Sequence, residues 1–161
     1  MTPKDPSLRK QVDSGIAYYT VCWSPLKKSD KYEIIQSVPA MAGLFELYYL
    51  DEKKKLNLFF LSKVWIGGLR HRIRRLTDPE IEMDPKRRKV LEKHDCYYRF
   101  CLTDHQDDLD DVFYFFSGRY QPGNERAEHS GRYQEIYVEE LEPNKIVTIY
   151  EEIGKEKKEK K

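Results

Sequence analysis

The sequence predicts an α+β domain in which a small mixed β-sheet is flanked by helices, and three observations lead to it. Two aromatic-rich extended runs, GLFELYYL at 43–50 and LNLFFLSKV at 56–64, are separated only by the turn-like DEKKK, which is a hairpin signal. Leu69, Ile73 and Leu76 recur at spacings of four and three, which places them on one face of a helix. Leu109, Val112, Phe113 and Phe116 form a second apolar stripe, preceded by aspartates of the kind that favour a first helical turn.

The remaining elements follow in chain order. Residues 1–12 are polar and proline-bearing and read as a flexible segment. Ile16 to Trp23 alternates with β-branched and aromatic residues and reads as a strand. SPLKKSDK is a loop before the 43–64 hairpin. Gly67 and Gly68 mark a strand-to-helix turn into a helix near 68–76, and Asp84 followed by Pro85 supplies a cap and a first helical residue for another at 85–93. YYRFCL at 97–102 returns to strand character, and Thr103 or Asp104 can cap a helix near 105–117. Gly118 to Gly131 is a polar loop, containing Arg119, Arg126 and His129. RYQEIYVEEL and KIVTIYEEI flank the turn Pro143–Asn144 as a C-terminal β-hairpin. This hairpin and the N-terminal strand either extend the central sheet or make a small second one. Residues 13–153 thus form one globular domain, and 154–161, GKEKKEKK, is a charged disordered tail.

Composition bounds the function. At 161 residues, with 39% apolar and 13% aromatic content, the chain suits one domain with a sizeable core. No apolar run approaches the roughly 18 to 20 residues that span a bilayer, and the first residues lack the apolar stretch of a secretory signal, so the expectation is a cytoplasmic protein without a membrane partner. Cys22, Cys96 and Cys101 are odd in number and scattered, which fits a reducing compartment and buried thiols. The last two are five apart in a strand and point to opposite faces, so they cannot chelate one metal, and no histidine has a zinc-motif partner. The aspartate cluster lacks the central glycine and final glutamate of a calcium loop, and no metal site is assigned. Net charge is only +1, but from Lys63 to Lys93 ten Lys or Arg face five Asp or Glu, whereas Asp104 to Asp111 and Glu135 to Glu142 are acidic. A polarised surface is expected. Arg70, Arg74 and Arg75 with Lys86, Arg87, Arg88 and Lys89 form a basic helix surface that suits a nucleic-acid backbone, DNA or RNA, or else a solvated charged face.

The order of elements over about 38–124 resembles the GIY-YIG nuclease superfamily in a degenerate form. VPAMAGLFELYYLDE looks like its first strand, with Gly43-Leu44-Phe45 in place of Gly-Ile-Tyr. Phe60-Leu61-Ser62-Lys63 stands where Tyr-Ile-Gly would be, and Gly68-Leu69-Arg70-His71-Arg72-Ile73 matches a leucine followed three residues later by the helix arginine. DDLDDVFYFFSGRYQPGN resembles the helix with the metal-binding glutamate, closing on Pro122-Gly123-Asn124 like the family's terminal proline and asparagine.

What the resemblance implies is phosphodiester chemistry: a tyrosine hydroxyl network around the attacking water, an arginine on the phosphate and a carboxylate holding one divalent metal. Phe45 and Phe60 lack those hydroxyls, and Asp111, the nearest carboxylate, sits about two residues early with a shorter side chain. The resemblance therefore implies a catalytically degenerate domain that acts as a nucleic-acid-binding or interaction module. The alternative is an active nuclease using Mg or Mn with a shifted set of Arg72, Asp111 and Tyr48 or Tyr49. A third reading is a protein-binding domain anchored by Tyr133, Tyr137 and Tyr150. On a wheel of about 100° per residue, Arg72 borders the buried helix face, where it can meet a phosphate or pair with a carboxylate, for example on the Asp104–Asp111 helix.

Overall fold

The computed structural model describes residues 5–120 and 128–143. Its elements run β1 (Leu8–Asp13), β2 (Ile16–Cys22), β3 (Lys27–Lys28), α1 (Lys31–Ser37), β4 (Gly43–Leu50), β5 (Leu56–Val64), α2 (Leu69–Leu76), α3 (Pro85–Lys93), β6 (Asp95–Leu102), α4 (Gln106–Tyr120) and β7 (Glu135–Leu141). The class is α+β, with two sheets: β3-β6-β4-β5, antiparallel throughout, and β1-β2-β7, in which β7 runs parallel to β2.

The hairpin forms as its alternation requires. β4 pairs with β5 from Gly43↔Val64 to Leu50↔Leu56, with one irregularity between Leu47 and Tyr48. Asp51 closes the turn by accepting from the amides of Lys53 and Lys55, both at 2.9 Å. Leu44 and Leu61 face one side of this sheet; Phe45, Leu47 and Val64 face the other. On the first side they pack with Leu109, Val112, Phe113 and Phe116 of α4 and with Ala17, Tyr19 and Val21 of β2. On the second they pack with Ile34 and Val38 around α1 and with Leu69, Ile73 and Leu76 of α2. The larger sheet is therefore a partition. One side carries α4 and the small sheet, and the other carries α1 and α2.

Two glycine positions set this spacing. A Cβ on Gly43 would stand 2.2 Å from the Cys101 carbonyl oxygen and 2.8 Å from Leu69 Cδ1, so α2 reaches β4 only because a glycine lies there. Gly67 and Gly68 turn the chain from β5 into α2 with φ of 97° and 83°. Asp84 caps α3 by accepting from the Arg87 amide at 2.9 Å, with Pro85 in the first turn as expected.

Several elements depart from expectation. Residues 8–12 are not a loose segment: they lie in β1, paired from Leu8↔Val21 to Asp13↔Ile16. The stretch read as loop contains β3, and Lys31–Ser37 forms a helix capped by Asp30, whose carboxylate accepts from the amides of Tyr32 and Glu33. α4 continues to Tyr120, beyond the expected 117. The first strand of the C-terminal hairpin is β7, and its partner 145–153 lies outside the described residues, as do Tyr150 and the tail. The three cysteines are buried thiols, and burial pushes that of Cys96 up to about 11.

The two sheets are joined by a buried cation. Arg99 of β6 is 1% exposed. Its Nε donates to Glu46 Oε1 on β4 at 2.6 Å, Nη1 to Glu142 at 2.9 Å and Nη2 to Glu140 of β7 at 3.5 Å. The guanidinium lies 4.4 Å from the Trp23 ring centroid, while the indole N–H donates to Glu140 at 2.8 Å and the Tyr48 hydroxyl to Glu46 at 2.7 Å. Removing it strands a buried carboxylate, so Arg99→Ala should lower the unfolding free energy by about 3–5 kcal/mol in urea titrations. A cost below about 1 kcal/mol, the range of an exposed pair, would contradict this assignment.

Candidate functional site

Two polar assemblies stand on opposite sides of the larger sheet, and they differ in whether their charges are matched. The first is on α4. Asp111 has no exposed side-chain surface. Its carboxylate accepts from the Ser130 amide at 2.6 Å, the Tyr19 hydroxyl at 2.8 Å, the Ser130 hydroxyl at 3.0 Å and Arg132 Nη2 at 3.0 Å. One turn earlier, Asp108 accepts from Arg132 at 2.8 Å and Lys10 at 2.9 Å, and Lys10 also donates to the Tyr133 hydroxyl at 3.0 Å. Lys63 pairs with Asp110. Burial alone would raise the carboxyl of Asp111, but the bonds from Ser130, Tyr19 and Arg132 outweigh it and hold the group below the usual carboxylate range. Asp108 is likewise held down, by Arg132 and Lys10 against burial. Burial and the bond to Asp111 push the Tyr19 phenol well up, so it stays protonated and donating. Every charge in this cluster has a counter-charge. It fastens residues 130–133 to α4 and β2.

The second assembly is α2 with α3. Leu69 and Ile73 point into the sheet, and the helical wheel then puts Arg70 and Arg74 on one flank, at about 100° and 140°, and Arg72 and Arg75 on the other, at about 300° and 240°. Arg70 Nε donates to the Val38 carbonyl at 2.7 Å, so the first flank faces α1. There Arg74 opens with Lys31 on a cleft of about 270 Å³ that also holds Asp30, Asp78 and Glu80, acidic residues that offset its charge. The other flank is turned away from α1. α3 is held over β5 by Arg87, whose guanidinium lies 5.2 Å from the Phe60 ring and 3.2 Å from Glu82. α2 and α3 together carry nine Lys or Arg and one acidic residue, Glu92. Among the described residues, Arg72, Arg75, Lys86, Arg88, Lys89 and Lys93 form no ion pair.

The residues singled out in the sequence divide between these sides. Phe45, Phe60, Ser62 and Gly43 share the α2 side with Arg72; the Phe45 and Phe60 rings are 5.8 Å apart, and Phe45 is paired with Ser62. Asp111 is across the sheet on α4. Arg72 and Asp111 therefore share no cleft, and the ion pair considered between Arg72 and the Asp104–Asp111 helix does not form. Tyr48 and Tyr49 point to opposite faces, Tyr48 to Glu46 and Arg99, Tyr49 to Phe59 and His94. Asn124 lies outside the described residues. Of the six basic residues assigned to nucleic acid, Arg75, Lys86 and Arg88 are exposed and form no ion pair among the described residues; Arg70 bonds to Val38 and Arg87 to Glu82, and Arg74 lines the cleft with Asp78 and Glu80 without an ion pair of its own. Arg99, Tyr19, Ser130 and Arg132 were not assigned roles in the sequence reading. Arg132 carries no local signal, because its partners are 21 and 24 residues away.

Among the described residues, no three His, Cys, Asp or Glu side chains converge as metal ligands, and no helix is long and apolar enough to cross a membrane. A family model described as "Uncharacterised protein" matches residues 7–161. No curated protein and no solved structure matches the chain.

The Asp108–Asp111 cluster fixes a pH dependence. Both carboxyls are depressed on folding, so their contribution is complete above about pH 4, the ordinary aspartate value, and is lost as pH falls through their lower folded values. Asp111→Asn should cost about 1–3 kcal/mol at pH 7 by urea unfolding, and the gap to the parent chain should narrow toward pH 2. An equal gap at both pH values would show that its charge is not what matters.

Proposed function

The chain belongs to the family described as "Uncharacterised protein", matched over residues 7–161, and from that premise we propose that it is a non-catalytic nucleic-acid-binding domain that tracks the phosphate backbone with the outer face of α2 and α3. The observation that carries this reading is the contrast in charge pairing. Lys10, Lys63, Arg99 and Arg132 are all neutralised by carboxylates, while Arg72, Arg75, Lys86, Arg88, Lys89 and Lys93, on two successive helices, form no ion pair among the described residues. Cations collected in one place without counter-charges repel one another, and an extended polyanion relieves that repulsion with release of its counterions. Arg72 is half-buried at the floor of this face, where a guanidinium can approach phosphate with two parallel donors.

The likeness to GIY-YIG domains enters the proposal as a frame that keeps the hairpin and the following helix without the catalytic set. Antiparallel β4 and β5 leading into α2 agree with that frame. The separation of Arg72 from Asp111 by the sheet, and the packing of Phe45 against Phe60 where hydroxyls would stand, support the absence of phosphodiester cleavage from this reading. A protein-binding role has one observation of its own, the exposed stack of Tyr18 on Tyr137 on the small sheet, with centroids 5.5 Å apart.

Binding to a fluorescein-labelled oligonucleotide should weaken steeply as salt rises. Replacing Arg72, Arg75, Arg88 and Lys89 together by Gln should reduce the slope of log affinity against log salt by about 0.7 to 0.9 per contacted phosphate lost. Absence of salt-sensitive binding at low ionic strength would overturn the proposal and leave the tyrosine stack as the surface to pursue.

A further inference from the structure

Beside the unpaired cations the chain displays an apolar turn that packing does not explain. Ile66 is 85% exposed, Met41 50% and Trp65 40%, although Leu44, Leu56 and Val64 at the ends of β4 and β5 are buried. The turn is held in place. Gly67 and Gly68 take positive φ, a Cβ on Gly68 would come within 3.0 Å of Ala40, and the amides of Leu69 and Arg70 donate to the carbonyls of Met41 at 2.8 Å and Pro39 at 3.2 Å. Trp65 and Ile66 are thus presented on a fixed corner between the end of β5 and the start of α2. The corner runs directly into α2, so Trp65 and Ile66 stand at the N-terminal end of the helix that carries Arg72 and Arg75.

Duplex nucleic acid offers phosphates but hides its base faces, and a cationic face alone suffices for it. An unpaired strand offers both, and its ligand surface needs cations for the backbone with an aromatic platform for an unstacked base. We infer that the α2–α3 face binds single-stranded nucleic acid, with Trp65 as the stacking platform and the cations of α2 and α3 following the backbone. The inference rests on the nucleic-acid reading above and specifies its substrate.

The two tryptophans make the test direct. Trp23 is 2% exposed against Arg99, so a ligand that changes tryptophan emission on contact reports Trp65. A mixed-sequence labelled single strand and the same strand annealed to its complement are titrated at one low salt concentration, following label anisotropy and tryptophan emission. The single strand should bind at least about tenfold more tightly and quench the emission. Trp65→Ala should weaken single-strand binding about 5- to 150-fold, the range of one lost base stack, and leave duplex binding unchanged, while Trp65→Phe keeps most of the affinity. Trp65 is exposed, and far-ultraviolet circular dichroism confirms that the variants fold. Equal affinity for the duplex, or an unaffected Trp65→Ala, overturns this inference while the nucleic-acid reading stands. No salt-sensitive binding to either form overturns both. Self-association dispersed by Ile66→Asp, with no emission change on adding strand, assigns the corner to a second copy of the chain and also overturns it.

Discussion

The docking of the small sheet on the larger one is referred to the guanidinium of Arg99. It projects from a central strand of the larger sheet into the gap between the sheets, where an ion is costly unless each donor is used. Glu46 comes from the neighbouring strand and Glu140 and Glu142 from the end of β7, so the cation can be satisfied only when the small sheet is docked in one register. Trp23 covers it at the place where the chain leaves the small sheet: its amide donates to Leu141, and the next amide, of Ser24, donates to Phe100 of the larger one. A hydrophobic layer alone would tolerate sliding between the sheets. A buried fork with distant partners does not.

This constraint divides the molecule by the state of its charges. On the Arg99 side, ionic groups are consumed in holding parts together, and Asp111 repeats the pattern by drawing Tyr19, Ser130 and Arg132 onto α4. On the other side, α1 and α2 are seated mainly by apolar contact, through Ile34, Val38, Leu69, Ile73 and Leu76. Arg70 and Arg87 add bonds to Val38 and Glu82 there, whereas Arg72, Arg75, Lys86, Arg88, Lys89 and Lys93 form no ion pair among the described residues. The proposed ligand surface is made of these cations of α2 and α3 and not of the acidic cluster of α4.

Legibility in the sequence followed the range of the interactions. The hairpin, α2 and α3 were readable because alternation, a 3–4 spacing and the Asp84–Pro85 pair are local signals. α1 was missed because KYEIIQS buries only Ile34 and its start depends on the cap at Asp30. β1 was missed because its outward face is polar, with five of its six residues exposed, so it shows no apolar alternation. The parallel pairing of β2 with β7 joins residues more than a hundred positions apart and has no local trace. The same holds for the site. The wheel alone sets Arg72 at the border of a buried face, but nothing near Asp111 in the sequence hints at the four donors, from Tyr19, Ser130 and Arg132, that occupy it. Arg99, within YYRFCL, has no local sign of its role, because its partners Glu140 and Glu142 lie some forty residues later.

The central claim is that paired charges build this protein and unpaired ones serve a ligand, and backbone amide exchange with and without a single-stranded oligonucleotide tests it over the whole chain at once. The account predicts that added strand slows exchange in 65–76 and 85–93 and leaves 105–120 and 130–141 as they were. Slowing confined to the Asp108–Asp111 helix and the segment through Arg132, or no slowing anywhere at low salt, would contradict it.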